Sequence, residues 1–428
     1  MARKKRSLLV GLLIIMVLVI TSVTISAAPK KVKLVYWTHW EQNPKFNAYY
    51  AEAGKEFAKL HPECAGVEVV TVPFSGYSAK YLAAFMARAG APDLFNGAPH
   101  DWAGKYDFAD KMPSNIVKKV DSTIVNTARP FGVFNGIRYG FPVEGGNFQY
   151  MFINVDMYKE AGLDPNKPPK TLTELLEHAK KLTKYDASGK VIRSGYGIRY
   201  SGDQTGITDK FLPMLHAFGG LMVDPKYKNS KGVVNSQAGI EALTFYGDLV
   251  NKYKVSSLEV GNSEVAFSKG LAAIIFRESW LPGFLATNAP NINYLVYALP
   301  SQKATPGPGA LFGWADMVYK HSKNKKLAWE FLDFMWSKEN DYKRATAQGI
   351  MPVIKANFDT DFVKNRPDYK AVMEMAEREP APSYFNPKMN EVAAAYGDAV
   401  LAVIYNRQDA KTALNQAAEK IDQILKRR

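Results

Sequence analysis

The chain has 428 residues, 47% of them hydrophobic and 22% charged, an ordinary globular composition long enough for two or more domains. Its net charge is +14, and four of those charges sit together at Arg3, Lys4, Lys5 and Arg6. The other cations are scattered as solvated surface, without a basic stripe or an RNA-binding signature, so no nucleic-acid partner is expected. Cys64 stands alone, which excludes an internal disulfide framework and a thiolate metal site. The six histidines show no HxxxH or HExxH spacing, so no metal and no cofactor is expected.

The segment MARKKR precedes an uncharged apolar run, Ser7 to Ile25, and then the small residues Ser26, Ala27 and Ala28. That is the order of a secretory signal, with cleavage expected near Ala27 and residues 1–27 as the signal peptide. The run is nearly long enough to span a bilayer, so an uncleaved anchor is the other reading. No cysteine ends it, so a lipid anchor through such a residue is not expected. The mature chain is expected in the periplasm or outside the cell.

Lys33–Trp37 reads as a strand, and it stops at His39, Trp40 and Glu41. A helix through Tyr49, Phe57 and Leu60 ends at His61–Pro62, and a strand Val67–Val72 follows. This β-α-β unit implies a parallel sheet with a right-handed crossover, and ligands of such sheets sit beyond the carboxyl ends of the strands. A helix over 78–89 is expected to bury Leu82, Phe85 and Met86. The strand 90–95 ends at NGAPHDW, which sets Asp101 and Trp102 beyond another strand end.

The stretch 139–183 opens on a short apolar piece broken by Pro142. Glu144 and a glycine pair follow, then the alternating run Phe148, Tyr150, Phe152, Val155, read as a strand. A carboxylate beside glycines, between two strand-like pieces, suits a chain crossing a crevice. Thr171 and Glu174 fit a capping box for a helix Leu172–Leu182. A strand 192–200, a helix 211–218 and an amphipathic helix 237–253 come next. Leu271–Phe276 is a third strand whose end carries charge and tryptophan: Arg277, Glu278, Ser279, Trp280. The Pro/Gly-rich stretch 304–313 reads as a connector before Trp314, Asp316 and a strand 317–319. Helix 325–336 is expected to bury Trp329 and Trp336. A loop 380–387 carries Tyr384 and Phe385, and amphipathic helices 389–404 and 410–425 close the chain.

Five of the seven tryptophans, Trp37, Trp40, Trp102, Trp280 and Trp314, lie at or near strand ends. Flat aromatics cover the apolar C–H faces of sugar rings while carboxylates, amides and arginine bind the hydroxyls, so the pattern points to a carbohydrate site. Asp101, Glu144 and Glu278 could instead supply a glycosidase pair, although no spacing establishes one. No G-x-S-x-G, P-loop or G-x-G-x-x-G occurs.

Taken together, KLVYW with its helix, GAPDLFNGAPHDW, YGFPVEGGNFQYMFINVDMYKEAGL, PPKTLTELLEHAKKL, FSKGLAAIIFRESW, KKLAWEFLDFMWSKE and the G-x-M-P at Gly349–Pro352 resemble the family 1 extracellular solute-binding proteins. This is the group containing maltose-binding protein, the substrate receptors of ABC importers. The resemblance implies a two-lobed α/β periplasmic-binding-protein fold (type II-like), with a ligand cleft between lobes joined by hinge crossings. One lobe would take residues 28–143 and 308–355, the other 144–307 and 356–428. It implies a non-enzymatic, monomeric receptor that binds an oligosaccharide by lobe closure and delivers it to the permease subunits of the importer. His39, Trp40, Glu41, Asp101, Trp102, Glu144 and Trp280 would contact the ligand. The residues themselves add Trp314, Asp316 and Tyr384. Trp40 has no aromatic counterpart in maltose-binding protein, and Trp102 stands where that protein has a basic residue, so the ligand is expected to be held differently. A receptor for an anionic solute, or a secreted carbohydrate-active enzyme, is the alternative.

Overall fold

The computed structural model describes residues 31–40, 44–145, 149–303, 313–376, 384 and 386–427. Residues 1–27, Glu41, Phe148, most of the 304–313 connector and most of the 380–387 loop lie outside them. Two five-stranded sheets organise the described residues, each covered by helices in its own lobe.

The first sheet runs Cys64–Thr71, Val32–Thr38, Leu94–Gly97, Ala315–Val318, Gly140–Pro142. Its first three strands are parallel, as the β-α-β pattern predicts, and Ala315–Val318 enters antiparallel between Leu94–Gly97 and Gly140–Pro142. The second sheet runs Tyr294–Tyr297, Gln149–Asn154, Ala272–Glu278, Val191–Gly197, Lys184–Tyr185. The chain therefore leaves the first sheet after Pro142, builds the second, and returns to the first at Ala315.

Local signals explain the elements. Thr171 and Glu174 form the capping box: Thr171 Oγ1 accepts from the Glu174 amide at 3.1 Å, and Glu174 Oε2 accepts from the Thr171 amide at 3.3 Å. Asn154 ends the strand Gln149–Asn154 and caps the short helix Val155–Glu160, so Val155 is helical and not the last residue of the strand. All six residues of that strand are buried. Tyr150 and Phe152 join the core shared with the first sheet, and Met151 and Ile153 the core of the second lobe. Both faces of this strand are covered by protein.

The helix Tyr77–Ala87 buries only part of the expected face: Phe85 is buried as expected and Leu82 is half-buried. Met86 is 69% exposed, and Tyr77, Tyr81 and Phe85 point inward. These three aromatics at i, i+4 and i+8 form the continuous stripe, which outweighs the Leu82–Met86 pair. The helix expected over 211–218 begins earlier, at Gln204, capped by Asp203, because its polar first turns hide it in the sequence. Helix Lys338–Gln348 was not expected. It lacks an apolar stripe and starts at the Ser337 cap. Trp329 and Trp336 are buried as predicted.

At the crossings the backbones touch. Gly145 N donates to Met351 O at 3.1 Å, and a Cβ on Gly145 would stand 1.9 Å from the Pro352 carbonyl oxygen. Arg366 binds the next turn, donating to Gly349 O at 2.6 Å and Ser279 O at 3.3 Å, with Asp368 fixing its other edge at 2.8 Å. Gly349 sits at φ 69°, the left-handed region that ends the preceding helix. Gly145→Ala is expected to lower stability by about 1–3 kcal/mol or more, since the clash is with backbone that cannot rotate away. Urea unfolding checks it, and an unchanged midpoint would refute the close packing.

Candidate functional site

The parallel strands of the first sheet deliver an aromatic cluster past their carboxyl ends. His39 is buried at its centre. Trp314 lies 4.3 Å away between ring centroids, Tyr77 4.7 Å, Phe74 5.5 Å, and Trp40 5.6 Å in a stacked arrangement. Burial pushes the His39 pKa down to about 3, so at neutral pH this ring is an uncharged wall. Trp40 and Trp314 are partly exposed.

Trp40 is aimed by a relay of hydrogen bonds. Its Nε1–H donates to Asn96 Oδ1 at 3.1 Å, and Asn96 Nδ2 donates to Asp316 Oδ1 at 2.8 Å. The Tyr36 hydroxyl donates to the same carboxylate at 2.7 Å, and the Tyr50 hydroxyl donates to Oδ2. Asp316 is thus engaged by three side chains inside the lobe, and its reach toward the cleft is through Asn96 and Trp40. Trp102 is fully buried. Tyr81, Phe85, Phe95 and Tyr106 surround its ring at 5.3–5.9 Å. It is packed where Gly97 leaves room, since a Cβ there would lie 2.5 Å from the indole.

The second lobe contributes a charged wall. Glu278 ends the strand Ala272–Glu278 and is ion-paired with Lys210. Arg277 lies 3.6 Å from Glu278 and 3.5 Å from Glu264. Burial pushes the Glu278 pKa up, but Lys210 and Arg277 outweigh it and hold it at about 2. Trp280 follows two residues on, caps the helix Leu281–Asn288, and donates from Nε1 to Glu278 Oε2 at 3.0 Å. The Arg277 guanidinium lies over the Trp280 ring, 4.9 Å from its centroid, and Phe284 meets it edge-on at 5.7 Å. The partly exposed indole is therefore fixed by three neighbours.

Pro213 helps shape this wall. Lacking an N–H, it leaves the Asp209 carbonyl out of the helix ladder, and Gln149 Nε2 donates to that oxygen at 2.7 Å. Gln149 also pairs with Glu278 across the sheet.

Glu144 lies where the chain leaves the first sheet, and it is buried. Its Oε2 accepts from the Ser279 hydroxyl at 3.2 Å, and among the described residues its Oε1 has no hydrogen-bond partner. Burial raises its pKa to about 7, opposed by the Ser279 hydrogen bond and helped by the nearby Glu278 charge. Asp101 is buried at the start of the helix His100–Lys105, with Asn390 of the other lobe donating to Oδ2 at 2.8 Å. Tyr384 lies in the second lobe, where its hydroxyl accepts from Met222 N at 3.2 Å and pairs with His216 Nε2 at 2.9 Å. Glu41 is outside the described residues.

Among the sequence-predicted residues, His39, Trp40 and Trp314 share one cluster, and Glu144 and Trp280 gather around Ser279 and Glu278. Trp102 and Asp316 sit behind these surfaces, and Tyr384 packs against the core of the second lobe, away from both. Phe74 and Tyr77 were missed, although VPFSGY follows a strand end as the other segments do. Lys210 and Gln149 carried no local signal. The described residues hold one trio of candidate metal donors, His61, Glu63 and Glu330. It is a surface ion-pair group, with Lys326 also 3.5 Å from Glu330.

Two variants test this geometry. The Glu144 carboxyl takes up a proton on folding between its ordinary value of 4.5 and about 7. It therefore favours the folded state fully below 4.5, and that contribution is lost as pH rises through 7. Glu144→Gln is expected to raise stability at about pH 8, by at most on the order of 3 kcal/mol, and to flatten the pH slope in denaturant titrations. Asp316→Leu is expected to cost about 3–5 kcal/mol by leaving Tyr36, Tyr50 and Asn96 unpaired, and to alter Trp40 fluorescence. Wild-type stability in that variant would disprove the relay.

The family described as bacterial extracellular solute-binding protein matches residues 40–342. An arabinooligosaccharide-binding protein of Bacillus subtilis is 24% identical over 442 residues, 96% of this chain and 98% of that one. The solute-binding protein of an ABC transporter from Thermotoga lettingae, solved with alpha-D-tagatose, superposes with a TM-score of 0.79 at 24% identity, over 92% of this chain and 99% of its own. The GacH receptor of Streptomyces glaucescens, solved unliganded and with acarbose, gives 0.78 at 21% identity over the same shares. The shared architecture is two-lobed.

Proposed function

Because the chain belongs to the bacterial extracellular solute-binding proteins, we propose that it is the carbohydrate receptor of an ABC importer, binding an oligosaccharide in the cleft between its lobes. The observation that carries this reading is the pairing of two unlike walls at the lobe crossing. One is aromatic, His39, Trp40 and Trp314. The other is Trp280, held by Arg277 and Glu278, with the buried Glu144 carboxyl nearby, whose Oε1 has no partner among the described residues. Indole faces cover the C–H faces of sugar rings, and Glu144 accepts from a hydroxyl. The arabinooligosaccharide-binding relative, alike over nearly its whole length, supports the ligand class.

Lys210 and Arg277 are each ion-paired with carboxylates, which favours a neutral ligand over an anionic one. His39, Trp40, Asp101, Glu144, Trp280 and Trp314 are the assigned contacts. Asp316 and Trp102 act from behind, and Tyr384 anchors its own lobe. We assign the first lobe to residues 28–143 with 308–355 and the second to 144–307 with 356–428. The ligand favours the closed arrangement because only there do both walls contact it. The permease subunits recognise that arrangement outside the cytoplasm, and the receptor works as a monomer without catalysis.

A thermal-shift screen over arabino-, malto- and manno-oligosaccharides is expected to raise the melting temperature with at least one series. No shift with any sugar would overturn the reading. Trp280→Ala is expected to weaken binding of the responding sugar by about 2 kcal/mol, roughly thirtyfold, measured by calorimetry. Chromatography of the incubated sugar is expected to show it intact. Cleavage that Glu144→Gln abolishes would make the protein an enzyme.

A further inference from the structure

Away from the crossings, two neighbouring side-chain contacts join the lobes. The helix His100–Lys105 belongs to the first lobe, with Trp102 and Ala103 in its aromatic core. The helix Met389–Ile404 belongs to the second, with Met389, Val392 and Tyr396 in its core. Asn390 Nδ2 donates to Asp101 Oδ2 at 2.8 Å, and Lys105 Nζ reaches Glu391 Oε1 at 3.0 Å. The backbone makes both possible. Tyr106 N bonds Asp101 O, five residues back, and this wide turn sets Asp101 and Lys105 toward the first turn of the facing helix. Glu391 is held ready from its own side, since Arg427 Nη1 occupies its Oε2 at 2.9 Å and leaves Oε1 for Lys105.

We propose that these contacts form a latch that exists only when the lobes are together. Asn390 is the positioning residue that orients the Asp101 carboxylate, and Lys105–Glu391 adds a salt-sensitive pair. The inference rests on the receptor reading for its effect on affinity, but the latch itself needs no ligand. Asp101 gives its Oδ2 to the opposite lobe and is itself one of the assigned ligand contacts. Ligand contact and lobe contact therefore reinforce each other through one side chain. None of Asn390, Lys105 and Glu391 touches the assigned aromatic walls.

The test uses the full chain and begins without ligand. Small-angle X-ray scattering compares the radius of gyration of the wild type with Asn390→Leu, Lys105→Ala, Glu391→Ala and the Lys105→Ala/Glu391→Ala double variant. Lys105 and Asn390 are exposed and Glu391 is half-buried, and urea unfolding verifies each fold. The single variants are expected to expand relative to the wild type, and the double no more than its single parents, because both remove the same pair. High salt is expected to expand the wild type and to leave the double variant unchanged. Equal radii across the set, or additive expansion in the double, would overturn the latch.

A second arm titrates arabinotriose by calorimetry. Affinity is expected to fall about tenfold in Asn390→Leu and about threefold in Lys105→Ala. Unaltered affinity in Asn390→Leu would remove its positioning role. Failure of the wild type to bind any sugar would count against the receptor reading alone, because the scattering result decides the latch.

Discussion

The fold of the first lobe depends on a single buried carboxylate. Asp316 receives Tyr36 from one strand, Asn96 from the next and Tyr50 from the covering helix, and Asp316 itself lies on the strand that completes the sheet. Burying this charge would be costly without those donors. With them it ties three strands and a helix together at the end of the sheet that faces the cleft. The same network extends one step outward to the Trp40 indole. The stability of the lobe and the aim of the Trp40 ring thus share their polar atoms, and the orientation of a surface ring is set by a group with no surface of its own.

The second lobe solves the corresponding problem with charge pairs. Lys210, Arg277, Glu278 and Glu264 neutralise one another in a nearly dry wall, and Trp280 rests against them. Such a wall is polar without carrying a net field, and it offers hydrogen-bonding edges instead of an ion trap. Between the lobes the backbones of Gly145 and Pro352 lie in contact, so the seam admits no side chain at that point.

Much of this was legible in the chain. The rule that ligands gather past strand ends drew attention to Trp40, Glu144 and Trp280, which remain proposed contacts, and the capping box at Thr171 predicted its helix. What stayed hidden was non-local. The partners of Asp316 lie 220, 266 and 280 residues away, so nothing near it in the sequence distinguishes a relay from a ligand contact. Trp102 reads like Trp40 until Tyr81 and Phe85 are seen to enclose it, and that enclosure follows from the helix burying Tyr81 where Met86 was expected. Asn390 has no motif at all. Its role exists only because a helix from the other end of the chain arrives opposite Asp101.

The late return of the strand Ala315–Val318 bears on how the protein is made. Until residue 316 has left the ribosome, Tyr36 and Asn96 have no carboxylate to bond, and Leu94–Gly97 has no neighbour on one side. The amino-terminal lobe therefore cannot finish folding as it is synthesised. It must wait for the whole second sheet, a pairing of high sequence separation that slows folding. A chain held open in this way stays threadable until its last third has been made.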